Sequence, residues 1–205
     1  MHIPDGFLSV PVWATLNAIS LPGIGLAARR VGNEDAHSKG PLTGVLGAFV
    51  FAAQMINIPV APGASAHLLG GALLGATLGP AAGAVVMTAV LAVQALLFQD
   101  GGLLALGANV FNLAIAGVVC GWLPWALLGR RSPSIAAFLG GVLSVLASSA
   151  LALVELIASG VPIPRPLVIL SFSLFGASAV LEGAITAGVI SALTRMNPGW
   201  IRHGR

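Results

Sequence analysis

The chain has 205 residues, of which 57% are apolar and only 7% charged, with a formal net charge of +3. A soluble domain carries about 25% charged residues, so an ordinary soluble enzyme is excluded. Disorder, which needs low hydrophobicity, and nucleic-acid binding, which needs a basic face, are excluded too. What remains is an all-α polytopic membrane protein, read as a single membrane domain over residues 1–205. Its 27 Gly and 13 Pro agree, because both are more frequent in transmembrane helices than in soluble ones. The single Cys120 leaves no intramolecular disulfide and no Cys-rich metal site.

The opening, Met1-His2-Ile3-Pro4-Asp5-Gly6-Phe7, has no Lys or Arg and carries an acid. It therefore lacks the basic n-region of a signal peptide, and Met1 is expected to be retained beside the bulky His2. A transmembrane helix needs about 20 apolar residues. Cutting the chain where charges, Pro and Gly cluster gives a first span at about residues 8–28, ending at Arg29-Arg30, then a polar loop over 29–40. A second span covers about 41–58, followed by a loop of small residues at 59–67. Residues 68–99 are apolar throughout, but one helix of that length would run to about 48 Å, too long for a hydrocarbon core of about 30 Å. Gly79-Pro80 is the natural break, because Pro disrupts a helix and restrains the residue before it. The expectation is a short helix at 68–79 and a full one at 81–99. Further spans follow at about 103–128, 135–158 and 167–193.

Seven crossings with the N-terminus outside and the C-terminus inside put Arg29, Arg30, Lys39, Arg130, Arg131, Arg195, Arg202 and Arg205 on the cytoplasmic side. Only Arg165 then lies outside. Basic residues accumulate inside, and with six crossings that asymmetry collapses.

Four histidines are candidates for chemistry. His37, beside Glu34, Asp35 and Lys39, and His203, in the basic tail, read as solvated. His2 and His67 fall on the same, outer side. A free Met1 amine, the His2 backbone nitrogen and His2 Nδ1 can close fused five- and six-membered rings on one metal, and His67 can supply a fourth nitrogen. Four nitrogens in a plane suit Ni(II) or Cu(II), with Co(II) also compatible, rather than the tetrahedral preference of zinc. Polar pairs inside the spans, Gln54/Asn57 and Asn109/Asn112, are each three residues apart and share a helix face. They are candidates for interhelical hydrogen bonds or for orienting the ligands; Asp5, Asn57 and Ser65 are the residues chosen for the orienting role. Glu155 and Glu182 lie within spans, without an assigned role. The small-residue stripes Gly71/Gly75/Gly79 and Gly183/Ala187/Ser191 permit close helix approach, within the fold or to a partner.

The opening Met1-His2-Ile3-Pro4-Asp5-Gly6-Phe7-Leu8 resembles that of the CbiM/NikM family, the substrate-capturing membrane subunits (S-components) of energy-coupling-factor transporters for cobalt and nickel. The similarity continues in Ala53–Val60, in Gly63-Ala64-Ser65-Ala66-His67-Leu68-Leu69-Gly70-Gly71, in Phe98–Asn112 and in Glu182–Ile190. Ala64 and Ala66 stand where the family often has Thr and Gly. The resemblance implies a seven-helix fold with a tucked-in N-terminal segment, 1–7, and a metal-binding loop, 59–67. It implies metal held by the Met1 amine, the His2 amide and ring, and the His67 ring.

It also implies uptake of Ni(II) or Co(II) as transported substrate, with no catalytic cofactor, across the bacterial inner membrane and in connection with cobalamin biosynthesis. The implied partners are a transmembrane coupling subunit, separate ATPase subunits and a small CbiN/NikN-type membrane subunit on its own chain. No P-loop is present, so ATP hydrolysis would belong to those partners. Two other classes stay open. One is an intramembrane metal-dependent hydrolase using His67 with Glu155 or Glu182; the other is a structural membrane subunit that binds no metal.

Overall fold

The computed structural model describes residues 2–33, 40–56, 58–61 and 64–201. Among these, helices dominate. They are α1 (Val10–Asn33), α2 (Gly40–Met55), α3 (Gly71–Leu78), α4 (Pro80–Phe98), α5 (Leu106–Leu128), α6 (Pro133–Ala158) and α7 (Arg165–Met196). A single 3-10 turn, Pro198–Trp200, comes after α7. Five of the seven helices, α1, α4, α5, α6 and α7, are long and apolar enough to cross a membrane, while α2 is a shorter apolar helix. Each apolar segment read from the sequence becomes a helix, with ends shifted by a few residues.

Gly79-Pro80 does separate two helices. Gly79 adopts φ 87°, which suits glycine, and Pro80 opens α4, where its missing N–H is one of the unpaired donors in any case. Helix α3 is only eight residues, about 12 Å, and all eight are buried. It does not meet lipid: α4, α5 and α6 enclose it. Residues 68–70, expected to be helical, lie outside any helix. Gly70 stands at φ 74°, and the N–H groups of Leu69 and Gly70 point to a side chain from α7 rather than into a helix.

The loop expected at 59–67 is in part a hairpin. Strands β1 (Ile58–Ala61) and β2 (Ala64–Ala66) pair antiparallel, with Ile58 opposite Ala66 and Pro59 opposite Ser65. The ribbon pairs the backbone groups of these strands with each other, which matters wherever backbone sits near membrane depth.

The core is continuous from Leu46 and Val50 through Leu69, Leu74, Met87 and Leu113 to Trp125, Val145 and Ile190. Helices α6 and α7 share an extensive contact, and at one point it brings glycine onto glycine. A Cβ on Gly141 would lie 2.6 Å from Gly183 Cα. The first two positions of the stripe on α3, Gly71 and Gly75, face α5 at Gly117, Val118 and Trp122 in the same way. Close backbone approach of this kind is what drives helix association when lipid is as apolar as the side chains. Gly141→Leu is expected to separate α6 from α7 and to cost about 1–3 kcal/mol through overpacking, read as a lower Tm of the detergent-purified chain. Gly188→Leu, at a position with open space around it, should leave the Tm near that of the wild type.

A candidate metal centre at the chain start

The segment before α1 runs back over the turn between α4 and α5, and a set of hydrogen bonds holds it there. Ile3 N donates to Asn109 Oδ1 at 2.8 Å, and Asn109 Nδ2 donates back to the Ile3 carbonyl at 3.0 Å. Gly102 N donates to the same carbonyl at 3.0 Å. Asp5 takes three backbone N–H groups, those of Leu103, Leu104 and Ala105, at 2.9, 2.9 and 3.0 Å. These donors belong to the turn just before α5, so the carboxylate ties the chain end to that turn. A side chain on Gly102 would collide with Asp5. Ile3 and Leu8 close the arrangement by packing on Ala105 and Ala108, with Ala152 and Leu156 of α6 against them.

The turn itself is shaped to receive this segment. Helix α4 ends in a π turn, Gln94–Phe98; Gln99 then takes the left-handed conformation, and Asp100 N closes on the Gln94 carbonyl at 3.1 Å. Gly101 has φ 98°, and a Cβ there would sit 3.3 Å from His2 Cβ. Asn17 and Ser20 of α1 secure the far side, bonding to Leu104, Gly107 N and Gly107 O.

His2 is thereby fixed in the interior, and His67 meets it from the other direction. The ring centroids are 4.7 Å apart with planes 22° from parallel, and each residue is 6% exposed. His67 Nδ1 lies 2.8 Å from the Leu68 carbonyl. A carbonyl can only accept, so Nδ1 carries the proton and Nε2 is the basic nitrogen. His2 Nδ1 is 3.1 Å from Asp100 Oδ1 but lacks the alignment of a hydrogen bond, and His2 Nε2 has no hydrogen-bond partner among the described residues. A buried polar atom left in this way calls for a water or an ion.

The position of His67 is set by the backbone of Leu69 and Gly70, just beyond it in the chain. Glu182 of α7 accepts Leu69 N on one oxygen at 2.9 Å and Gly70 N on the other at 2.8 Å. Gln54 of α2 donates Nε2 to the Leu69 carbonyl at 2.6 Å. Glu182 is thus spent on backbone donors and pins the strand-to-helix turn. Glu155 of α6 is engaged by Asn112 instead, at 2.8 Å.

Burial pushes the pKa of both imidazoles down, that of His67 well below the usual histidine range with the nearby His2 adding to the effect; Asp100 partly offsets the shift at His2. The same contact with His2 lowers the Asp100 carboxyl. Both rings are therefore neutral near pH 7, the form that binds metal. Among the described residues no three His, Cys, Asp or Glu side chains gather as a metal cage. An ion at this place would need backbone or terminal nitrogens as well as the two rings.

Of the residues expected to form the site, His2 and His67 are brought together. Asp5 acts on the backbone of the 103–105 turn rather than on an imidazole. Met1 and Asn57 lie outside the described residues, as do His37 and His203; Ser65 is described only as a backbone position in β2. Sequence reasoning missed Asp100, Asn17 and Ser20. The spacing of Asn17 and Ser20 on one face of α1 was the available signal.

Known proteins match the chain in sequence and in fold. The family model described as "cobalt uptake substrate-specific transmembrane region" matches residues 2–200. A Haloquadratum walsbyi protein named for metal transport is 41% identical over 204 residues, covering 97% of this chain and 92% of its own. A protein of Archaeoglobus fulgidus, named as a fused nickel transport protein NikMN, is 38% identical over 208 residues, covering 99% of this chain and 68% of its own. A crystal structure described as a transition metal transporter superposes with a TM-score of 0.89 at 30% identity, over 97% of this chain and 94% of that one.

Two measurements check the site. Asp5→Ala removes the acceptor of three N–H groups and is expected to cost about 1–3 kcal/mol, read as a lower Tm and faster hydrogen exchange at residues 103–105. The second concerns pH. The two rings titrate lower in the folded than in the unfolded chain, so the unfolded state takes up protons first as pH falls. Stability of the metal-free protein should therefore be full above the usual histidine range and decline below it, with a shallower decline in His67→Ala. Thermal melts between about pH 7.5 and pH 5 check this.

Proposed function

We propose, from the premise that this chain belongs to the CbiM family of cobalt uptake substrate-specific transmembrane regions, that it captures Ni(II) or Co(II) at the outer face of the membrane for import. The observation that carries the reading is the meeting of His2 and His67, buried and neutral, at a centroid distance of 4.7 Å. At metal–nitrogen distances of about 2.0 Å, two rings so placed can reach adjacent corners of one ion.

The remaining donors are the Met1 amine and the His2 amide nitrogen, which complete a plane of four nitrogens. Such a set suits Ni(II) and also admits Co(II). The metal-binding elements are then the segment 1–7 and the loop 59–67, within one membrane domain over 1–205. Asp5 and Asn109 hold the first in place; Glu182 and Gln54 hold the second.

Transport follows as the S-component of an energy-coupling-factor importer in the cytoplasmic membrane, with the N-terminus outside and the C-terminus inside. The eight-to-one distribution of basic residues supports this orientation. The chain has no P-loop, so ATP hydrolysis belongs to partner ATPases acting through a transmembrane coupling subunit. A CbiN/NikN-type subunit is a further partner, a reading supported by the fused nickel transport protein among the relatives.

Titration of the purified chain with Ni(II) and Co(II) tests the reading. With its native terminus the chain should bind one ion tightly. One extra N-terminal residue removes the terminal chelate and should weaken binding by more than the roughly 10–100-fold typical of losing an outer-shell partner. His67→Ala should weaken it as well, and affinity should fall as pH is lowered, because every ligand must give up a proton. Equal binding by native and extended chains would overturn the amine ligand.

A further inference from the structure

Two carboxylates are buried within the long helices, and they are used differently. Both oxygens of Glu182 are taken by backbone N–H groups. Glu155 has one oxygen engaged, by Asn112 Nδ2 at 2.8 Å; its Oε1 is buried and has no hydrogen-bond partner among the described residues. Asn112 Oδ1 is buried and without a partner as well. Asn112 turns its NH2 to the carboxylate, so what the amide leaves unpaired is oxygen. The pair therefore leaves two buried oxygens unpaired, one of them on an acid. Unpaired buried acceptors are costly, and ionisable residues at such depth commonly mark ion paths.

The surroundings are polar on one side only. Asn112 sits in a π-helical stretch of α5, Val110–Gly117, a distortion frequent at functional sites. Its carbonyl accepts from Ser148 Oγ at 2.8 Å. Gly117, further along α5, leaves the space that Ser148 and Ser144 fill: a Cβ there would meet their hydroxyl oxygens at 2.7 and 3.4 Å. Asn112 lies three residues beyond Asn109, the residue that grips Ile3, and Glu155 lies between Ala152 and Leu156, which pack against the Ile3 cluster. The pair is thus next to the segment that carries His2, roughly 4–5 Å further along α5.

We propose that Glu155 Oε1 and Asn112 Oδ1 form a second cation site, made of oxygen donors, that takes a divalent cation with water completing its shell. Oxygen donors hold first-row dications less tightly than a nitrogen chelate and favour hard ions such as Mn(II). A role as a stop for the ion leaving the His2–His67 chelate rests on the transport reading above; the cation site itself does not.

Mn(II) is the probe, with free ion counted by its EPR signal during titration of the purified full chain in detergent. The wild type should bind one Mn(II) at this site, and His67→Ala should bind it equally. Glu155→Gln, which keeps an acceptor for Asn112 Nδ2 but removes the charge, should weaken binding by at least about tenfold. Asn112→Asp adds a charged oxygen and should tighten it, a gain that a misfolded chain cannot give. Ser148→Ala, which removes only the bond to the Asn112 carbonyl, should leave it unchanged. Absence of Mn(II) binding by the wild type, equal binding by Glu155→Gln, or loss of binding in His67→Ala would each overturn the proposal. Nickel titration of the same wild-type preparation reports separately on the outer chelate. Nickel bound without manganese removes this site alone, and manganese bound without nickel removes the function proposed above.

Discussion

An extended chain end tucked into a membrane protein carries unpaired N–H and C=O groups, and in that setting each must find a partner inside the protein. The grip of Asn109 and Asp5 on residues 3–5 meets this constraint, and the rest of the site depends on it. Asn109 completes Ile3 as a neighbouring strand would, one bond in each direction. Asp5 satisfies three donors of the receiving turn. The receiving turn is shaped to match, through the π turn at the end of α4, the left-handed Gln99 and the glycines at 101 and 102. With residues 3–5 held this way, His2 has little freedom left, and its ring is delivered to the interior at no further cost in ordering.

His67 reaches the same place by an independent route. It lies between β2 and the buried α3, and the residues next to it are gripped by α7 through Glu182 and by α2 through Gln54. The two rings therefore report the relative positions of separate parts of the bundle: the turn between α4 and α5 for His2, and α2, α3 and α7 for His67. A small shift of α7 against α4 would change the distance between the nitrogens.

The helices were legible in the sequence because apolar runs of about 20 residues between charges have few other solutions, and the Gly79-Pro80 break followed from excess length together with the helix-disrupting proline. The pairing of strands 58–61 and 64–66 was not legible: the sequence Ile58-Pro59-Val60-Ala61 and Ala64-Ser65-Ala66 gives no alternation of apolar and polar residues. His2 and His67 were legible through the chelating chemistry of a terminal histidine. Glu182 was not, because its partners are backbone N–H groups 112 and 113 residues away, which no side-chain pattern encodes. Asp100 was hidden for a similar reason. It reads as a turn residue, and only the fold places it 3.1 Å from His2.

The scarcity of side-chain ligands has a consequence for how such a site can be built. Two imidazoles alone do not make a strong site, and no third ligating side chain joins them among the described residues. Adding a carboxylate would bring a charge that burial penalises and would favour harder ions. A backbone nitrogen avoids the second difficulty, and an adjacent amine that closes a chelate ring helps it to bind, as at the start of a chain. In the proposed reading the selectivity for Ni(II) or Co(II) then comes from the donor set, and the fold's task is to hold a terminus still. The hydrogen bonds spent on Ile3 and Asp5, rather than additional ligands, are where this protein places that effort.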